Sequence, residues 1–135
     1  MAKYNFKEKI TLYDLEIDSE MAEANNEQIT KCYNGAGAEW MPEWSRDTID
    51  QFLALYKDCV AVHDWDFENS NGFEIKFHEA NFRFKNNMKK VRDHYYPWSK
   101  PQYYLTCLKW YIKAQLAYNA VEKLGWKAWL DSYKK

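Results

Sequence analysis

The sequence predicts a mainly α-helical fold in one domain spanning residues 1–135, and three observations carry that reading. Three long stretches, running through His63, Asn81 and Ile112, place apolar residues at the i, i+3, i+4, i+7 spacing of a helical face. Breakers separate them: Glu68-Asn69-Ser70-Asn71-Gly72, then Pro97 and Pro101, then Gly125. Only the N-terminal part and the 68 to 73 connection leave room for β structure, and no linker, repeat or low-complexity segment divides the 135 residues.

Taken in order, residues 3 to 17 are ambiguous, because Ile10, Leu12, Leu15 and Ile17 fit either a strand or a short amphipathic helix. A helix is predicted from Ser19, a capping residue with acids in the turn that follows, to Cys32. It runs into a loop, Tyr33-Asn34-Gly35-Ala36-Gly37-Ala38, and then the proline-broken Glu39 to Trp44. Thr48 and Gln51 fit a capping box for the next helix, with Ser45 and Asp47 as alternative caps, and its stripe runs Ile49, Phe52, Leu53, Tyr56, Cys59, Val60, Phe67. The second long helix covers roughly 74 to 95, with Phe77, Ala80, Phe84, Met88, Val91 and Tyr95 facing inward. On it Glu79 is expected in solvent, His78 between the two faces, and Lys85, Lys89, Lys90 and Arg92 on a solvated basic face. Ser99 and Gln102 form a second capping box, opening a third helix to about Leu124 with Leu105, Leu108, Ile112, Leu116, Ala120 and Val121 as its inner face.

Nineteen Lys and Arg against 20 Asp and Glu leave a net charge of −1, which gives no electrostatic reason to expect a nucleic-acid partner. Seven Trp, eleven Tyr and seven Phe either fill an aromatic core or reach the surface, where such rings favour lipid or protein interfaces. Residues 1 to 10 lack the apolar run of a signal peptide, and no stretch approaches the roughly 18 apolar residues of a membrane span. Cys32, Cys59 and Cys107 are too few and scattered for a disulfide framework or a zinc site, so reduced thiols are expected.

Chemistry concentrates at His63-Asp64. His63 lies on the apolar stripe of its helix and Asp64 points about 100° away, so the two can offer an imidazole and a carboxylate to one site. A core histidine beside a solvated acid is the plainer alternative. Gly35 and Gly37, two of the four glycines, allow a backbone to converge its carbonyls on a hard cation, although Asn-Gly is also a common turn. Asn81 falls inside the inner stripe of the second helix and requires a partner across the interface.

Together, Tyr33-Asn34-Gly35-Ala36-Gly37 and Cys59-x-x-x-His63-Asp64-x-x-Phe67 resemble the calcium loop and catalytic helix of the phospholipase A2 superfamily in order and spacing. The chain is also similar to a group of small phage and bacterial proteins of that pattern, through Ala80-Asn81-Phe82-Arg83-Phe84 and Tyr118 to Gly125. The resemblance implies two long antiparallel helices carrying the His-Asp site, covered by the third. It implies His63 as general base, Phe67 as its aromatic support, and Ca²⁺ held by Asp64 with carbonyls of Tyr33, Gly35 and Gly37. Phospholipid is the implied substrate, with Trp40, Met41 and Trp44 beside the mouth at the membrane interface, and the implied location is the cytoplasm or a phage particle. Asn81 stands where the family carries the Asp that orients the histidine, and the loop lacks a cysteine and a further glycine found in secreted members. In the Ser-His-Asp template the same Asp-to-Asn change costs about 10⁴ in kcat. Two functions therefore remain open: a weak calcium-assisted acyl-ester hydrolase, and a catalytically inactive phage or mobile-element scaffold binding a protein or membrane partner through its aromatic surface.

Overall fold

The computed structural model describes residues 4–36, 51, 53–69 and 74–124. They form six α-helices: α1 (Phe6–Tyr13), α2 (Ser19–Glu23), α3 (Asn26–Ala36), α4 (Lys57–Glu68), α5 (Glu74–Tyr95) and α6 (Tyr104–Leu124). Single 3-10 turns, Ala54–Tyr56 and Pro101–Tyr103, precede α4 and α6. There is no strand among the described residues, and no described helix is long and apolar enough to cross a membrane.

The ambiguous N-terminal stretch is helical over Phe6–Tyr13, because Asn5 Oδ1 accepts from the Glu8 amide at 3.1 Å and so caps the first turn. It ends at Asp14, whose left-handed φ of 54° lets the Leu15 amide reach the Ile10 carbonyl at 3.0 Å. Phe6, Ile10 and Tyr13 are its buried face. The helix expected without interruption from Ser19 to Cys32 is instead broken at Ala24, which is extended (ψ 148°). Each piece has its own cap. Asp18, not Ser19, accepts from the Met21 amide at 2.7 Å, and Asn25 and Gln28 bond reciprocally to each other's amides at 2.8 and 2.9 Å. A capping box in the middle of a helix-forming stretch starts a second helix, whatever the propensity of its neighbours.

The His63 helix also starts later than expected. It begins at Lys57 after the 3-10 turn, whereas the sequence pattern placed its cap at Thr48; Ser45, Asp47 and Thr48 lie outside the described residues. Every residue from Asp58 to Trp65 is buried, so α4 is the central element and has no solvent face there. It packs on α3 and on α5, and α5 packs in turn on α6. Three contacts fix α4, with the 3-10 turn before it, as antiparallel to α5: Phe67 with Phe77, His63 with Asn81, and Tyr56 of the turn with Arg92. As the first number falls the second rises.

The range of α5 agrees with its stripe, since Phe77, Ala80, Phe84, Met88 and Val91 are all buried. Glu79 is exposed as expected. Three positions differ. His78, expected between the two faces, is exposed and pairs with Glu122 at 2.7 Å. Tyr95 is exposed, and Arg92, expected on the basic face, is buried with its guanidinium over the Tyr111 ring. A delocalised cation stacks on an aromatic face more readily than a compact ammonium.

In α6 the expected stripe is inward only at its C-terminal end, where Val121 is buried and Ala120 packs on the core. Cys107, Ala114 and Ala117 make the rest of the buried face, while Leu105, Leu108, Ile112 and Leu116 are exposed. Small side chains let the α6 backbone approach α5 closely, so the larger aliphatics turn outward. The Ser99 and Gln102 capping box is not formed: Lys100 is the cap residue of the 3-10 turn and no side chain bonds there.

Asn87, fully buried on α5, clamps the N-terminal segment. Its Oδ1 accepts from the Glu16 amide at 2.7 Å and its Nδ2 donates to the Glu16 carbonyl at 3.0 Å, so one side chain satisfies both backbone groups of a residue outside any helix.

Candidate functional site

His63 is fully buried and reaches Asn81 across the α4–α5 interface, with Nε2 2.8 Å from Oδ1. With the amide oxygen turned to the ring, Nε2 is the donor and Nδ1 holds the basic lone pair. Phe84 stacks on the imidazole at 4.6 Å and 26°, and Phe67 lies against it at 4.4 Å. Helix spacing explains both contacts: Phe67 is one turn beyond His63 on α4, and Phe84 nearly one turn beyond Asn81 on α5. Burial among these rings drives the imidazole down from 6.5 to about 4, against the opposing effect of the Asn81 hydrogen bond. At neutral pH the ring is an uncharged acceptor.

Asn81 is fully buried, and its Nδ2 has no hydrogen-bond partner among the described residues. A carboxylate at this position would present no such donor.

Asp64 is also fully buried. Its charge reaches Cys32: the thiol is pushed up to about 11 by burial first, then by Glu68 and Asp64. Asp64 is thus close enough to α3 for its charge to be felt at Cys32, one residue before Tyr33. As far as Ala36 the segment from Tyr33 is helical, not the loop expected from its glycines. The helix begun at the Asn25 cap continues through Asn34-Gly35 because a single glycine weakens a helix by only about 1 kcal/mol. The Tyr33 ring is buried and packs on Phe6 at 5.1 Å. Gly37, Trp40, Met41 and Trp44 lie outside the described residues.

Carbonyl oxygens of Tyr33 and Gly35 and the carboxylate of Asp64 are oxygen donors of the kind that suits Ca²⁺.

Sequence reading assigned no role to two further polar contacts. The Tyr4 hydroxyl donates to both oxygens of buried Asp58, at 2.8 and 2.9 Å, under the Lys57 ammonium 4.0 Å from the Tyr4 ring. Arg83 pairs with Asp66 at 2.9 Å beside a cleft of about 190 Å³ that Asp18, Lys76 and Glu79 also line. Burial raises the Asp66 carboxyl to about 7 despite Arg83. Opposite charges on facing helices were the available signal for the second pair; nothing in the spacing marks the first.

No family model, curated protein or solved structure matches the chain.

Proposed function

We propose that the chain is a phospholipase A2-like acyl-ester hydrolase, calcium-assisted, whose turnover Asn81 limits. The observation that carries this reading is the 2.8 Å contact from His63 Nε2 to Asn81 Oδ1, with Phe67 against the ring. A histidine buried only for packing has no need of an oriented tautomer that leaves Nδ1 basic, beside a buried carboxylate at Asp64.

In this mechanism His63 removes a proton from water at Nδ1 as the water attacks the ester carbonyl of a phospholipid. Asn81 fixes the ring orientation through its oxygen. It cannot neutralise the imidazolium that forms, and a base held at about 4 accepts the proton weakly, so both features point to slow turnover. Phe67 and Phe84 exclude water from the ring faces. Asp64 and the carbonyls of Tyr33, Gly35 and Gly37 are the groups that would hold Ca²⁺. When bound, the ion supplies Lewis-acid polarisation of the ester carbonyl. Trp40, Met41 and Trp44 would flank the mouth on the lipid side, and action in the cytoplasm or a phage particle follows from the same resemblance.

One observation favours a second reading, a catalytically inactive scaffold of the same type: His63 has no solvent exposure. Hydrolysis of a fluorogenic phospholipid with and without calcium, in the wild type and in His63→Ala, separates the two. Calcium-dependent activity lost in His63→Ala supports the hydrolase; none in either, with the fold intact, supports the scaffold.

A further inference from the structure

The outward face of α6 is an apolar ridge, exposed among the described residues. Leu105 is 83% exposed, Leu116 54%, Ile112 48% and Leu108 43%, although these four recur at helical spacing. Such a continuous aliphatic row in water is a liability unless something covers it. Lys109 and Lys113 border the ridge on one side, their ammonium groups 5.2 and 4.6 Å from the Trp110 ring. Tyr104 and Tyr111, both exposed, border it on the other, and exposed Trp98 packs against Tyr104 at 5.6 Å.

Charge identifies the occupant. Between Asp93 and Glu122 the chain has no acid and three lysines, Lys100, Lys109 and Lys113, although the whole chain carries −1. Burial and then Lys109 push the Lys113 ammonium down, so the two lysines share one side of the ridge closely enough to feel each other. We propose that α6 docks in the plane of an anionic lipid bilayer. Leu105, Leu108, Ile112 and Leu116 enter the acyl boundary, the tyrosines and Trp98 sit at headgroup level, and the lysines meet phosphate and carboxylate groups. A helix of 21 residues that is too polar to span has the right character for this orientation. A second copy fits less well, because antiparallel stacking of two such faces brings Lys109 and Lys113 against their own counterparts.

The docking stands on α6 alone and does not depend on turnover at His63. It is tested by co-sedimentation with sucrose-loaded vesicles of ether-linked lipids, which the proposed hydrolase cannot cleave, made of phosphatidylcholine or of equimolar phosphatidylcholine and phosphatidylserine. The wild type should pellet with the mixed vesicles and not with phosphatidylcholine alone. Leu105→Glu with Ile112→Glu, and separately Lys109→Glu with Lys113→Glu, should weaken binding roughly 30-fold or more, the worth of two lysines at an anionic leaflet. All four side chains are at least partly exposed, so both variants should keep the wild-type melting temperature. His63→Ala should pellet as the wild type does, which separates docking from catalysis. Wild type that stays in the supernatant, equal binding to both vesicle types, or variants that bind unchanged would overturn the proposal. So would a dimer that Leu105→Glu with Ile112→Glu dissolves while the wild type ignores lipid.

Discussion

Asn81 holds His63 by its oxygen, 2.8 Å from Nε2, and leaves its own nitrogen buried with no hydrogen-bond partner among the described residues. An amide thus orients the ring while contributing a donor that the site cannot use.

The first prediction replaces that amide. Asn81→Asp should raise the His63 pKa from about 4, since a carboxylate favours the imidazolium, and NMR titration of the ring reads the change. On the hydrolase reading turnover should rise, by up to about 10⁴ if the full cost of the amide is recovered. Without calcium the variant should be less stable at neutral pH, because a buried carboxylate beside a neutral imidazole is poorly compensated. A His63 pKa that stays near 4 would sink the assignment of the pair.

Acid titration tests the burial of the two groups with opposite shifts. His63 binds its proton at 6.5 when unfolded and at about 4 when folded, so its contribution is present above 6.5 and is lost as pH falls toward 4, a loss of about 3 kcal/mol. Asp66 runs the other way. Raised from 3.8 to about 7 when folded, it contributes stability below 3.8 that is lost as pH rises toward 7. The two slopes oppose each other between about 4 and 6.5. Asp66→Asn should therefore expose the His63 slope, with urea denaturation showing stability falling as pH drops through that window more steeply than in the wild type.

Calcium at millimolar concentration should raise the melting temperature, and magnesium should do less, because carbonyl ligands suit the larger ion. Asp64→Ala should remove the response. Identical thermograms with and without calcium would overturn the assignment of Tyr33, Gly35, Gly37 and Asp64 as calcium ligands.

Phe84 is both core and wall of the site, 1% exposed and stacked on His63. Phe84→Ala should cost about 3–5 kcal/mol in chemical denaturation. It should also admit water beside the imidazole and move the His63 pKa back toward 6.5. A stability loss without that movement would mean that Phe67 alone sets the environment of the ring.

What the sequence disclosed depended on whether apolar size and inward orientation coincide. On α5 they do, and Phe77, Phe84, Met88 and Val91 marked both the helix and the face that carries Asn81 toward His63. On α6 they do not. Val121 is buried as its stripe indicates, yet the Leu and Ile positions identified the wrong side, because contact with α5 uses Ala114, Ala117 and Cys107. Periodicity reports that a helix has two faces, and close packing of small residues decided which one is hidden. The start of α4 was obscured for another reason: the stripe continues smoothly through Leu53 and Tyr56, while the backbone there is a 3-10 turn. The His63 and Asn81 pairing was legible because both lie on inward stripes of helices joined by a short connection.

The Asn87 clamp orders events in time. Glu16 is secured by a side chain 71 residues further along the chain, and α1 and α2 flank that residue. At roughly 5–20 residues per second of synthesis, the N-terminal helices wait roughly 4–14 s on the ribosome before their anchor is made. Throughout that interval Phe6, Ile10 and Met21, all buried in the finished fold, have no completed core to enter. The chain's first apolar surface is thus presented to chaperones before the helix that carries His63 exists.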